Sequence, residues 1–349
     1  MQNTRPATSS TVSERVDALP PHPRPKGASN PLLQVEELHV SFPVGRRRLH
    51  AVRDVSLTIN EGAVFAIVGE SGCGKSSLAK TICGMYRPDS GKVLYRGIDV
   101  HAAGQRGREI RRGVQLLFQE PLPSLNPRHS IRRIFLEPMQ ANGMARDVVR
   151  AEHEMRDQLA AVGLPAEALD RYPRDFSGGQ LQRIALARIL LLRPALICAD
   201  EPVSALDVSV QAQVVHMLER LRVEQSLTYL IISHDLPLVS RIADRVAVMY
   251  LGEVVETGPA DQVSCAPLHP YTRALRSATP VARSSDIGRE RIILRGEPPS
   301  PIDPPDGCAF HTRCPVAQDV CRQRKPVLAP AGGGGRRVAC HFAGESGEA

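Results

Sequence analysis

One stretch limits this chain's fold more than any other: Gly69-Glu70-Ser71-Gly72-Cys73-Gly74-Lys75-Ser76, which fits G-x-x-x-x-G-K-[ST]. Such a loop works only between a strand and a helix. There its backbone N–H groups wrap phosphates and the helix N-terminus faces them. The flanks suit that context. Val64 to Val68 is a short apolar run of strand type, and Ser77 to Cys83 has helix-forming composition. The expectation is a nucleoside triphosphate site, with Lys75 on the β- and γ-phosphates and Ser76 on Mg²⁺.

The chain's 349 residues suffice for one large or two moderate domains. No run of apolar residues is long enough to span a bilayer, and the N-terminus lacks an apolar signal core. The net charge of +7 suits ATP, nucleic acid or an anionic surface equally. Aromatic residues make up 4 % and Trp is absent, which argues against a stacking platform for single-stranded nucleic acid.

Residues 1 to about 31, rich in Pro, Ser, Thr and Arg, read as a disordered leader. Strands are expected at Val35 to Phe42, Val52 to Ile59, Lys92 to Tyr95 and Val114 to Phe118. Helices dominate from about Ser130 to Asp170, as an insert in an α/β core. After them come a strong helix at Gln180 to Leu192, a buried strand at Ala195 to Ala199 and a helix at Val208 to Leu221. Strands at Thr228 to Ile232 and Val246 to Tyr250 complete the alternation. This order indicates a mainly parallel sheet covered on both faces. Residues 260 to 349 read as a separate Pro-rich appendix, with a mobile loop at Gly332 to Gly335.

Leu196 to Glu201 is an apolar strand ending in two acids. Asp200 is placed to hold Mg²⁺, directly or through water, and Glu201 to polarise the attacking water. His234 follows another strand. It is either a local hydrogen-bonding group or a sensor of the γ-phosphate. Gln119 ends a third strand, where its amide could reach metal or water and its backbone leads into the helical insert. In Phe176-Ser177-Gly178-Gly179-Gln180, Ser177 suits a helix N-cap. The glycines would let an anion approach the helix end, although the residues alone do not say whose nucleotide this is.

Of eight cysteines, Cys73, Cys83, Cys198 and Cys265 are scattered and read as reduced thiols. Cys308, Cys314, Cys321 and Cys340 lie close in sequence as C-x5-C-x6-C-x18-C. This is not the paired knuckle of a structural zinc site. Four such thiolates could hold zinc or an iron–sulfur cluster, or stay unliganded or form facultative disulfides.

Together these motifs resemble the nucleotide-binding subunit of an ATP-binding cassette (ABC) transporter over residues 32 to 258. Gly69 to Ser76 is similar to the Walker A loop, Gln119 to the Q-loop, and Phe176 to Gln180 to the signature motif. Leu196 to Glu201 is similar to Walker B, Ser204-Ala205-Leu206-Asp207 to the D-loop, and His234 to the switch histidine. The resemblance implies an α/β P-loop fold: a RecA-like core with an antiparallel β subdomain, a helical subdomain at about 120–178, and a C-terminal appendix over 259–349. It implies ATP contacts from Gly69, Glu70, Ser71, Gly72, Cys73, Gly74, Lys75, Ser76 and Ser77, from Gln119, Asp200 and Asp207, and from Phe42 stacked on adenine. It implies Mg²⁺ on Ser76, Gln119 and Asp200, and catalysis by Glu201 as general base with His234, Gln119 and Lys75. It further implies that Ser177, Gly178, Gly179 and Gln180 serve the ATP of an opposing subunit, a paralogue or a second copy.

Pro121 to Arg128, His269 to Leu275, Gly296 to Pro301 and Gly307 to Pro315 resemble oligopeptide and dipeptide importers, more closely the second of their two ATPase types. Relatives take up nickel or glutathione. The family pairs two ATPases with two permeases and an extracytoplasmic solute-binding protein, at the cytoplasmic face of the bacterial inner membrane. Members with this tail carry a [4Fe–4S] cluster on the four cysteines, which is adopted here as the expectation over zinc. Glu120, Phe176 and Leu181 depart mildly from the family's Asp, Leu and Arg. The reading of another class is a soluble ABC-type ATP switch. Such proteins usually carry two cassettes or a long coiled-coil insertion, and neither is present.

Overall fold

The computed structural model describes residues 31–202, 207–278, 292–294 and 296–344. Almost all of the expected leader therefore lies outside the described residues, as do Ser204, Ala205 and Leu206 of the D-loop.

Two sheets organise the chain. Strands β1 (Pro31–Val44), β2 (Arg47–Asn60), β4 (Ser90–Tyr95) and β5 (Ile98–Asp99) form an antiparallel sheet in the order β2-β1-β4-β5. Their apolar residues include Leu33, Val35, Val40, Val52 and Val93, all buried within one core cluster. The basic segment Arg46-Arg47-Arg48 forms the hairpin end, where Gly45 takes a φ of 61° that most side chains avoid.

The larger sheet runs β11-β12-β10-β9-β3-β8-β7-β6. Five of its strands run parallel: β3 (Val64–Val68), β6 (Val114–Leu117), β7 (Leu196–Asp200), β8 (Thr228–Ser233) and β9 (Arg245–Tyr250). Every residue of β3, β7 and β8 is buried, which is why these strands read as unbroken apolar runs rather than alternating ones. Helix α1 (Lys75–Ile82) follows β3, and α2 (Gly104–Gly113) leads into β6.

Helices α3 (Ile131–Ala141) and α4 (Val148–Ala161) start on side-chain caps from Ser130 and Asp147, each accepting a backbone N–H one turn on. Phe135, Met155 and Leu159 join them to α5 (Gly178–Leu190) in the larger core cluster. Helix α6 (Val208–Gln225) follows and ends at Ser226, whose φ of 54° stops it. The short α7 (Leu236–Val239) precedes β9.

The sequence alone suggests that the C-terminal region stands apart, but the structure sews it into the large sheet. Strand β10 (Glu253–Pro259) turns back antiparallel to β9. Helices α8 (Ala260–Cys265), α9 (Pro270–Ala278) and α10 (Asp319–Gln323) come next in the chain. Strands β11 (Ala329–Pro330) and β12 (Arg337–Val338) then extend the sheet, Val338 pairing with Glu256. The fastening is electrostatic as well. Glu256 is 0 % exposed and accepts from Arg336 Nη2 at 2.8 Å and from the N–H groups of Leu268 and His269 at 3.0 and 2.9 Å. Removing one partner of a buried ion pair strands the other charge, at a cost of about 3–5 kcal/mol. Arg336→Ala is therefore expected to lower unfolding stability by about that amount, read as a drop in denaturant midpoint. An unchanged midpoint would mean that this pair does not fasten the tail.

Candidate nucleotide site

Strand register brings the site together. Val68 pairs with Ser233, Asp200 with Ile232, and Leu117 with Ala199, so β3, β8, β7 and β6 end along one edge. The residues just beyond those ends are Gly69, His234, Glu201 and, a step further, Gln119. An open α/β sheet presents its ligand crevice at this edge.

The loop's glycines answer to close packing. A Cβ on Gly69 would lie 2.3 Å from the Met249 carbonyl oxygen, and one on Gly74 would lie 1.9 Å from that of Ala51. Gly74 also has a φ of 104° and caps α1. Ser71 is exposed, Ser77 is half-buried on α1, and Gly72 takes a φ of 78°. Lys75 is 5 % exposed, and its Nζ donates to the carbonyls of Gly69 and Glu70, each at 2.8 Å. Burial pushes the Cys73 thiol up despite the neighbouring lysine, so it lines the loop as a neutral group.

Ser76 Oγ donates to Asp200 Oδ1 at 3.1 Å. Burial raises the Asp200 carboxyl, and the Ser76 hydroxyl opposes that shift. Hydroxyl and carboxylate oxygens in contact form a donor set of the hard kind that Mg²⁺ takes. Glu201 gathers two expected partners: Gln119 Nε2 donates to its Oε2 at 3.2 Å, and His234 Nδ1 lies 3.3 Å from its Oε1. The Glu201 backbone has a φ of 45°, a conformation costing a non-glycine residue about 1–3 kcal/mol, held by its N–H bonding to Ile232 O at 3.0 Å.

Ser177 and Gln180 cap α5 reciprocally. The Gln180 N–H donates to Ser177 Oγ, and the Ser177 N–H donates to Gln180 Oε1 at 3.0 Å. Ser177 and Gly178 are exposed and Gly179 is half-buried, so this helix N-terminus faces outward. Asp207, at the start of α6, is exposed. Phe42 is half-buried and packs edge-on to Tyr86, ring centroids 5.0 Å apart.

Glu70 is handled differently from its neighbours. Its carboxylate takes a two-pronged contact from Arg313, and its N–H donates to Tyr271 Oη at 2.8 Å. Neither partner was singled out from the residues. The segments His269 to Leu275 and Gly307 to Pro315 mark the subfamily, but nothing in them points to the phosphate loop.

The four-cysteine expectation is corrected. Among the described residues, no group of three or more His, Cys, Asp or Glu side chains could hold a metal ion, so neither an iron–sulfur cluster nor zinc has a site. None of the four cysteines forms a disulfide. Burial pushes the Cys308 and Cys314 thiols up to about 11, which favours S–H over the ligating thiolate. Both pack against the core cluster that holds Phe310. The region is shaped by ordinary contacts, such as the Cys308 N–H donating to Cys321 O at 2.7 Å.

Comparison with known proteins gives the family. Residues 52–204 match the family model for the ABC transporter, and residues 255–321 match that for the oligopeptide/dipeptide transporter C-terminal region. The chain is 48 % identical over 321 residues to the oligopeptide transport ATP-binding protein AppF of Bacillus subtilis, covering 89 % of this chain and 97 % of that one. It is 46 % identical over 311 residues to the oligopeptide transport ATP-binding protein OppF of Salmonella typhimurium, covering 85 % and 92 %. Among solved structures, cbiO1 of Clostridium perfringens, part of an ABC transporter complex, superposes with a TM-score of 0.60 at 27 % identity, covering 67 % of this chain and 91 % of that one. The ATP-binding cassette MJ0796, a dimer with ADP and Pi, gives 0.59 at 26 % identity, covering 65 % and 98 %. The chain is an ABC-type ATPase and belongs to the ATP-binding subunits of oligopeptide and dipeptide ABC transporters.

Proposed function

We propose that this chain hydrolyses ATP to drive uptake of di- or oligopeptides, as one of two cassettes beneath a pair of permeases supplied by an extracytoplasmic solute-binding protein. The observation carrying the reading is the convergence of Gln119 and His234 on Glu201, beside a phosphate loop whose lysine is buried. Residues 32–258 would form the cassette, with its helical subdomain at about 120–178, and 259–349 the importer-type appendix. No helix among the described residues is long and apolar enough to cross a membrane. As an ATP-binding subunit of this transporter family, it would sit peripherally, at the cytoplasmic face of the inner membrane.

Residues 69–77 would cradle the phosphates of ATP, and Phe42 would stack on adenine. Lys75 turns its ammonium from the loop carbonyls to the β- and γ-phosphates. Ser76, Asp200 and Gln119 would hold Mg²⁺, which when bound offsets phosphate charge. Glu201 accepts the proton of the water that attacks the γ-phosphorus, while Gln119 and His234 fix its carboxylate and respond to the γ-phosphate. The outward face formed by Ser177, Gly178, Gly179 and Gln180, with Asp207, would meet the ATP of the opposing cassette. The segment after Gln119 would pass the nucleotide state to the permease.

Uptake of labelled di-, tri- and longer peptides in cells with and without this chain tests the proposal. The expected result is peptide uptake lost on deletion and restored by the wild-type gene but not by Glu201→Gln. Intact peptide uptake with lost uptake of a non-peptide solute would reject the cargo class.

A further inference from the structure

The C-terminal region reaches into the nucleotide site through one residue of the phosphate loop. All three polar groups of Glu70 are held, two of them from the C-terminal half. Its N–H donates to Tyr271 Oη at 2.8 Å, its carbonyl accepts from Lys75 Nζ at 2.8 Å, and its carboxylate is gripped by Arg313 Nη1 at 2.8 Å and Nη2 at 3.2 Å. The Arg313 side chain is 7 % exposed and that of Glu70 30 %. The guanidinium lies 5.9 Å from the centre of the Tyr250 ring. Tyr250, Tyr271 and Phe310 pack ring to ring, with centroids 4.8 to 5.4 Å apart, and all three are buried. Strand β9, helix α9 and the segment carrying Phe310 and Arg313 thus form one block beneath the loop.

A carboxylate is an odd neighbour for a triphosphate. Glu70 adjoins the lysine-bound carbonyls in a loop meant to collect anions, and its charge opposes ATP unless neutralised. A planar guanidinium gripping both oxygens supplies that neutralisation and also fixes the loop's direction. Sequence reasoning groups Glu70 with the phosphate ligands; its observed contacts turn it to the tail instead.

We propose that Arg313 is a positioning residue for ATP: by neutralising and orienting Glu70, it lets the C-terminal region set the affinity of the phosphate loop. This rests on residues 69–76 being the ATP site. It makes the tail an active part of nucleotide binding, although Arg313 touches no reacting atom.

The test measures ATP hydrolysis in the assembled transporter, with KM and kcat separated. Arg313→Ala is expected to raise KM for ATP about tenfold, the scale of one lost charge-assisted contact, and to change kcat less than about twofold. Arg313→Lys, which keeps the charge and loses the fork, is expected between wild type and Arg313→Ala. The deciding variant is Arg313→Ala combined with Glu70→Gln, expected to recover most of the lost affinity because the repelling charge is gone. A brace acting only on stability would not be rescued by neutralising its partner. An unchanged KM in Arg313→Ala, or a raised KM that Glu70→Gln leaves raised, overturns the proposal. Should Arg313→Ala not fold, Arg313→Gln with and without Glu70→Gln replaces it under the same criteria. Failure of the wild-type chain itself to bind ATP would instead overturn the nucleotide-site reading.

Discussion

Glu201→Gln is expected to bind ATP as wild type does and to lose turnover by about 10²–10⁴-fold, the usual contribution of a positioned general base. The amide keeps the size and the acceptor oxygen of the carboxylate, so the contact with Gln119 can persist. It cannot take a proton from water. Because the left-handed backbone at Glu201 holds the side chain where β7 and β8 end, the substitution changes chemistry rather than architecture. The measurement is a steady-state phosphate-release assay beside an equilibrium ATP titration on the same preparation. Turnover within tenfold of wild type would remove Glu201 from the role of base.

Lys75→Ala is expected to weaken ATP binding and to lower turnover by about 10²–10³-fold, the scale of one deleted transition-state donor in a preorganised site. The two effects share a cause. The buried Nζ bridges the Gly69 and Glu70 carbonyls, so it braces the loop and stands ready as its one lysine. Truncation strips both the charge that would meet the γ-phosphate and the bond that shapes its cradle. Lys75→Arg restores charge but not shape, since a planar fork cannot serve two carbonyls as a compact ammonium does. It is therefore expected to recover binding only partly. Wild-type affinity in Lys75→Ala would contradict the assigned role.

The parts of this molecule legible beforehand are those whose physics is local. β3, β7 and β8 are buried on both faces, so their apolar runs stand out, and the bounds of β3 coincide with the run Val64 to Val68. α5 begins at Ser177, a cap residue visible from its type. The residues clustered at Glu201 were legible because each ends a strand, and parallel register then brings those ends to one edge.

What stayed hidden depends on distant partners. β12 has two residues and exists only because β10 and β11 flank it. Glu256 looks like an ordinary acid in Glu-Val-Val-Glu until Arg336 arrives beside it. Glu70 sits inside a motif that assigns phosphates to every position, and nothing near it announces Arg313. The four cysteines show the opposite error. Their closeness in sequence suggests a shared ligand, but the folded arrangement offers no metal site among the described residues and leaves Cys308 and Cys314 as half-buried thiols.

The most direct check on the whole account uses the same Glu201→Gln chain, purified with the transporter's other ATPase subunit and alone, and weighed in solution with and without ATP. Two cassettes locked together only when ATP is present, and released when it is removed, is the result that the proposed opposing-cassette site predicts. A single cassette that stays monomeric at saturating ATP, and as wild type hydrolyses ATP at full rate without a second one, would contradict it.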